Sequence, residues 1–97
     1  MTEHELKTWM PFYQHVIDGI KPFEVRRNDR GYQAGDVLYL REWDQDKAAL
    51  HSLMPDYSHY TGRSHRRTVT YTLTGEHWGV RDGFIVLGLG GIDATTR

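Results

Sequence analysis

Two rhythms run through the hydrophobic positions of this chain: a period of 3.6 residues near the start, then a period of two over most of the remainder. Trp9, Phe12, Tyr13, Val16, Ile17 and Ile20 fall at i, i+3, i+4, i+7, i+8 and i+11, one apolar stripe along a helix. Thr8 stands where an N-cap is wanted, Pro11 falls in the first turn, where a missing N–H costs little, and Gly19 follows the last turn. The stripe is wide and aromatic, and it fits a core face better than a ligand box. The preceding segment, His4 to Trp9 (HELKTW), is mixed and only faintly strand-like.

After Pro22 the side chains alternate. In FEVRR, Phe23 and Val25 face one way and Glu24 and Arg26 the other. Asn28 to Gly31 reads as a turn, Gly35-Asp36 opens the strand VLYLREW, and Arg66 to Leu73 (RRTVTYTL) reads as a further strand. Gly75 to Gly83 reads as a loop or short hairpin carrying Trp78, and Phe84 to Leu89 (FIVLGL) is a continuous apolar run of the kind a buried strand shows. The connection from Asp44 to Ser64 exceeds the roughly 12–15 residues of an ordinary unstructured loop. Within it DKAALHSL predicts a short helix before Pro55, and PDYSHYTGRS predicts a surface loop. The polar tail, from about residue 92, is expected to fray. One helix with four or five strands predicts an α+β chain: a small mixed barrel, or an open sheet with the helix packed on it.

Composition narrows the chemistry. Ninety-seven residues make one domain. Without cysteine there is no disulfide scaffold, thiol nucleophile or Cys-ligated metal. No apolar run reaches the roughly 18–20 residues that span a bilayer, and the N-terminus lacks a signal-peptide pattern. The expectation is a soluble, cytoplasmic domain, favoured as a monomer, with no membrane partner and no cofactor. Twelve Lys and Arg against 13 Asp and Glu rule out a uniformly basic nucleic-acid coat. Position still matters. Lys21, Arg26, Arg27 and Arg30 lie in one short stretch and Arg63, Arg66 and Arg67 in another, together seven of the twelve cations. The two stretches form a basic patch if the fold makes them neighbours, and two unrelated solvated runs if it does not.

The densest cluster is Gly19 to Arg26 (GIKPFEVR). Lys21 precedes a proline and leaves helical geometry, so three charged groups of both signs converge where a helix end meets a strand. Cations there could hold a phosphate or carboxylate while Glu24 orients them or takes a proton. By spacing alone, an ion pair of Glu24 with Arg26 or Lys21 on a solvated face is the commoner outcome. Tyr57, Tyr60, Trp43 and Trp78 are candidate stacking platforms; Trp43 suits a rim or core position, and the loop tyrosines are the better candidates. The six histidines show no metal-ligand spacing and read as surface residues, so no metal site is expected. Gly88-x-Gly90-Gly91 lacks the following helix a phosphate loop needs, and there is no nucleophile elbow.

Gly19-x-Lys21-x-x-Glu24-x-Arg26 resembles, at every fixed position, the G-x-K-x-x-E-x-R motif of the ASCH domain, a member of the PUA-like superfamily. His4-x-Leu6-Lys7, Asn28-Asp29-Arg30, Gly35-Asp36, Glu42 and Tyr60-Thr61-Gly62-Arg63 extend the resemblance to a small bacterial and phage branch described as RNA-binding-like. Residues 44–59 look like an insertion within an otherwise single domain over 1–97. The resemblance implies a small PUA-like mixed β-barrel, with the N-terminal helix packed beside a cleft and the motif residues lining it. It implies RNA or a nucleotide-like ligand as partner, bound by Lys21, Glu24, Arg26, Arg30, Tyr60, Arg63 and Arg66. The alternative is a small RNA-directed enzyme, a ribonuclease or modified-nucleoside hydrolase, with Lys21 and Glu24 catalytic. One neighbouring branch removes acetyl groups from acetylated cytidine with a Thr nucleophile where this chain has Glu24. That departure counts against the same hydrolysis here.

Overall fold

A strand, β1 (Glu3–Trp9), runs directly into a short helix, α1 (Met10–Ile17), and a second strand, β2 (Phe23–Arg27), follows. Strand β3 (Val37–Trp43), helix α2 (Gln45–Leu50), a 3-10 turn at Asp56–His59, and strands β4 (Tyr60–Thr74) and β5 (Phe84–Ile92) complete the order in this computed structural model. It describes residues 1–75 and 78–92, with side chains as far as 90. The strands form one sheet in the order β1-β3-β4-β5-β2, with β1 and β3 parallel and the other pairs antiparallel. The sheet curls into a half-barrel, giving the mixed α+β fold expected. Arginine side chains tie the β2 edge to β1: Arg26 Nη1, from β2, donates to Lys7 O at 3.0 Å, and Arg30 Nη1, from the turn after β2, to Glu5 O at 2.8 Å.

The core lies inside the curl. Leu6, Leu38, Leu40, Val69, Ile85 and Leu87 from the sheet meet Tyr13 and Val16 from α1. The helix differs from its expected extent. Thr8 is not its N-cap: the chain stays extended through Trp9, and Thr8 is a buried residue of β1. At its other end the helix stops at Gly19 as expected: at φ +76°, Gly19 sends its N–H to Val16 O while Ile20 N–H reaches His15 O. That pair of bonds is a Schellman turn, which wants glycine at the left-handed position. Only part of the apolar stripe is core: Tyr13 and Val16 are buried and Ile17 partly so, but Trp9 and Phe12 are 50% and 46% exposed and Ile20 stands in solvent.

Three further expectations change. Residues 60–65 are the first part of β4, not a loop; Trp43 pairs with Tyr60 and Arg41 with Ser64, so extra residues bulge around Gly62, at φ +95°. The bulge breaks the alternation that a strand otherwise shows. The histidines are not all at the surface: His4 and His59 are buried, His59 with its Nδ1 lacking a hydrogen-bond partner and its ring edge-on to Trp43. In FIVLGL only alternate residues, Ile85 and Leu87, are fully buried. The 44–59 segment forms α2, capped by Asp44 at Lys47 N–H, and the 3-10 turn. Gln45 Oε1 accepts the N–H of Met10, and Asp56 pairs with Lys7, so this segment is tied to the start of α1. The expectation of a frayed tail falls on residues beyond 92, which lie outside those described. Among the described residues, no helix is long and apolar enough to cross a membrane.

Candidate functional site

A cavity of about 400 Å³ opens where the end of β1, the start of α1 and strand β2 meet. Lys7, Thr8, Trp9, Phe12, Lys21, Glu24, Val25 and Arg26 line it. The alternation in β2 is as expected, but its sense is not a solvated charged face. Glu24 pairs with Leu87 across the sheet and points inward, only 3% exposed, while Phe23 and Val25 point out.

A buried carboxylate needs partners, and Glu24 has two cations. Its Oε1 accepts Lys21 Nζ at 3.0 Å and its Oε2 accepts Arg26 Nε at 3.1 Å, with Arg26 Nη2 in ion-pair contact with the same oxygen at 3.0 Å. Arg26 continues the chain of bonds, giving Nη1 to Lys7 O and Nη2 to Thr8 Oγ1 at 3.2 Å. Three of the five N–H donors in its guanidinium make these hydrogen bonds, and Nη2 lies in ion-pair contact with Glu24 as well. Arg26 is therefore a clip joining β2 to β1. Lys21 differs. One of its three N–H groups is on Glu24, and the ammonium sits 5.2 Å from the centre of the Phe12 ring and 5.4 Å from that of Phe23. The Schellman turn and Pro22 fix this placement, since Lys21 N–H also donates to His15 O. The cluster of two cations and one carboxylate carries a net positive charge beside an aromatic wall, which suits an anion with a planar or apolar part.

A family model described as "Domain of unknown function (DUF3850)" matches residues 3–89. The chain belongs to this family. An "Uncharacterized 12.9 kDa protein in GpA 3'region" of Escherichia phage P2 is 43% identical over 42 residues, 43% of this chain and 38% of that protein. The matched stretch thus spans well under half of the relative's length.

In this DUF3850 domain the remaining candidates lie apart from the cleft. Arg30 reaches β1 beside a smaller cavity of about 140 Å³. Tyr60 has one ring face covered by the Arg41 guanidinium, 3.9 Å from its centre. Arg63 Nη1 lies 3.4 Å from Glu42 Oε2 and its guanidinium 5.0 Å from the Tyr13 ring. Arg66 pairs with Glu3 at 2.6 Å and covers Tyr39. Arg67 is a structural tie, donating to Val16 O, Gly90 O and His65 Nε2. The structure brings Lys21, Glu24 and Arg26 together, and distributes Arg30, Tyr60, Arg63 and Arg66 over other contacts. Another buried carboxylate, Glu42, stands next to Thr8 across β1 and β3 and accepts Thr61 Oγ1 at 2.7 Å. Burial raises the pKa of the Tyr13 phenol above its ordinary value, and Arg63 partly opposes that.

Sequence reasoning missed Trp9 and Phe12 as the cleft wall and Lys7 and Thr8 as its floor. One signal was available: six large apolar residues are more than a helix this short buries.

Proposed function

We propose that this domain is an ASCH-like, PUA-like module that binds RNA or a nucleotide-like ligand in the Lys21 cleft. The observation that carries the reading is the state of Lys21: an ammonium held at a cavity near two aromatic rings, with one N–H group on Glu24 and two not engaged among the described residues. A phosphate oxygen fits those donors, and a base fits the exposed faces of Phe12 and Trp9. Glu24 and Arg26 serve the binding by fixing Lys21 and the β1 wall. Binding is favoured over hydrolysis because each oxygen of the Glu24 carboxylate already accepts a hydrogen bond from a cation, which leaves less for a general base to offer.

The test is fluorescence anisotropy with short single-stranded RNA, structured RNA and DNA at two salt concentrations. The expected result is measurable RNA binding with a shallow salt dependence, since few phosphates are neutralised. Failure of all three nucleic acids to bind overturns the reading. RNA turnover that vanishes in Glu24→Gln would replace the module with an enzyme.

A further inference from the structure

The outer face of β2, β5 and β4 is apolar without serving the core. The register sets Phe23, Gly88 and Tyr71 side by side in one row, and Val25, Val86 and Leu73 in the next. Tyr71 is 65% exposed, and Phe23 and Val25 stand open as well. In the third row Phe84 lies between two guanidinium groups, Arg27 at 5.5 Å and Arg81 at 5.8 Å from its ring centre. Asp82 is the acid in the same turn. A groove of about 440 Å³ crosses this face between Phe84, Val86 and the Gly79–Arg81 loop. Helix α1 packs on the other side of the sheet, against its core face.

We infer that this face is a stacking platform for single-stranded RNA, continuous with the Lys21 cleft. Continuity selects the occupant. Val25 lines both the cleft and the outer groove, and Phe23 lies under the Lys21 ammonium while opening the first outer row. A strand with one nucleotide in the cleft therefore passes over Phe23 directly onto the platform. Gly88 has a reason to lack a side chain: a Cβ there would lie 3.2 Å from Thr70 Oγ1 and 3.3 Å from Tyr71 Cβ. It leaves a low floor, edged by the Thr70 hydroxyl, between two aromatic residues whose strands stand about 10 Å apart, two strand spacings, and a planar base fits over it. Arg27 and Arg81 supply positive charge for the phosphates at the far side, and aromatic residues interleaved with cations are what sequence-tolerant single-strand binding uses.

The inference rests on the nucleic-acid reading of the cleft, and length separates the two. Affinities are measured for uridine-rich RNA of one, two, four and eight nucleotides against wild type, Tyr71→Ala and Lys21→Met, with sedimentation velocity on the free proteins. Affinity is expected to rise with length. Tyr71→Ala should weaken the octanucleotide at least about five-fold and leave the mononucleotide unchanged, whereas Lys21→Met weakens both. Tyr71 is exposed, so its loss does not threaten folding. An unchanged octanucleotide affinity in Tyr71→Ala overturns the platform while mononucleotide binding keeps the cleft. A wild-type dimer that Tyr71→Ala converts to monomer overturns it too, in favour of a contact between copies. Octanucleotide binding that depends on Tyr71 but not on Lys21 overturns the continuity with the cleft, and with it the inference as stated. No binding at any length removes both.

Discussion

Strand β1 carries a buried polar cluster at each end, and the two are built alike yet differ in what they leave over. Near its start, His4 Nε2 meets Asp36 Oδ2 at 2.9 Å, and the same carboxylate accepts the N–H groups of Thr2 and Gln33. Tyr32 covers the His4 ring at 4.7 Å. Near its end, Arg26 clips Lys7 and Thr8 to Glu24, and Glu24 also holds Lys21. The first cluster closes on itself: three donors from the chain fill the Asp36 carboxylate, and Tyr32 packs tilted against the His4 ring. The second opens on a cavity and ends in a lysine with donors to spare. A buried ion pair is thus no sign of a site by itself. What marks one is an unengaged donor beside space that a ligand can enter.

The largest expected effect is on folding. Glu24→Ala leaves two neighbouring cations without their anion and should cost about 3 kcal/mol in urea unfolding. A loss below about 1 kcal/mol would mean that the cleft cluster does not hold β1 to β2. Asp36→Ala strips a buried His and two backbone N–H groups of their acceptor and should cost about 2 kcal/mol. It should leave RNA affinity untouched wherever the variant is folded; a parallel loss of affinity would erase the distinction between the two ends.

The pH dependence sharpens the contrast further. The His4 hydrogen bond holds the Asp36 carboxyl below its ordinary value, with burial partly opposing it. The folded chain therefore gives up that proton more readily than the unfolded chain. Its stabilisation is complete above about pH 4, the unfolded value, and is lost as pH falls through the lower folded value. In Asp36→Ala the acid limb of the stability profile should flatten in that window. A smaller effect belongs to His65, whose pKa is lowered by burial and then by Arg67. Its neutral ring accepts Arg67 Nε at 2.8 Å, and a protonated ring cannot. Stability should decline modestly as pH falls from about 6.5 toward the folded value, and His65→Gln should remove that slope. An unchanged profile would show that Arg67 is held by its two carbonyl contacts alone.

The fold was legible wherever one residue decided one thing. Pro22 turned the period from 3.6 to two, FEVRR alternated, and Gly19 ended a helix. The sense of an alternation was not legible. Glu24 is inside because Lys21 and Arg26 neutralise it, and Arg26 can do so because Thr8 and Lys7 lie across the gap between β1 and β2. Thr8 reads as a helix cap when only its neighbours in sequence are counted, whereas in the fold it is an acceptor for an arginine from another strand. The Gly62 bulge hid the start of β4 in the same way, because a bulge matters to its partner strand and leaves little trace in a local pattern. Lys21, Glu24 and Arg26 were visible as a group through their spacing and the motif. Their division of labour, one cation free to bind and one committed to the scaffold, needed the geometry.

That division is tested most directly by comparing wild type with Lys21→Met on short single-stranded RNA at two salt concentrations, using melting temperature as a fold control. Methionine keeps the apolar stem against Phe12 and removes the charge. The expected result is a retained fold with a lowered melting temperature, because Arg26 alone then pairs Glu24, affinity lower by about ten-fold, and a log–log salt slope smaller by about 0.7, the share of one phosphate contact on a single strand. Equal affinity and equal slope in the two proteins would contradict it and return the cluster to a purely structural role.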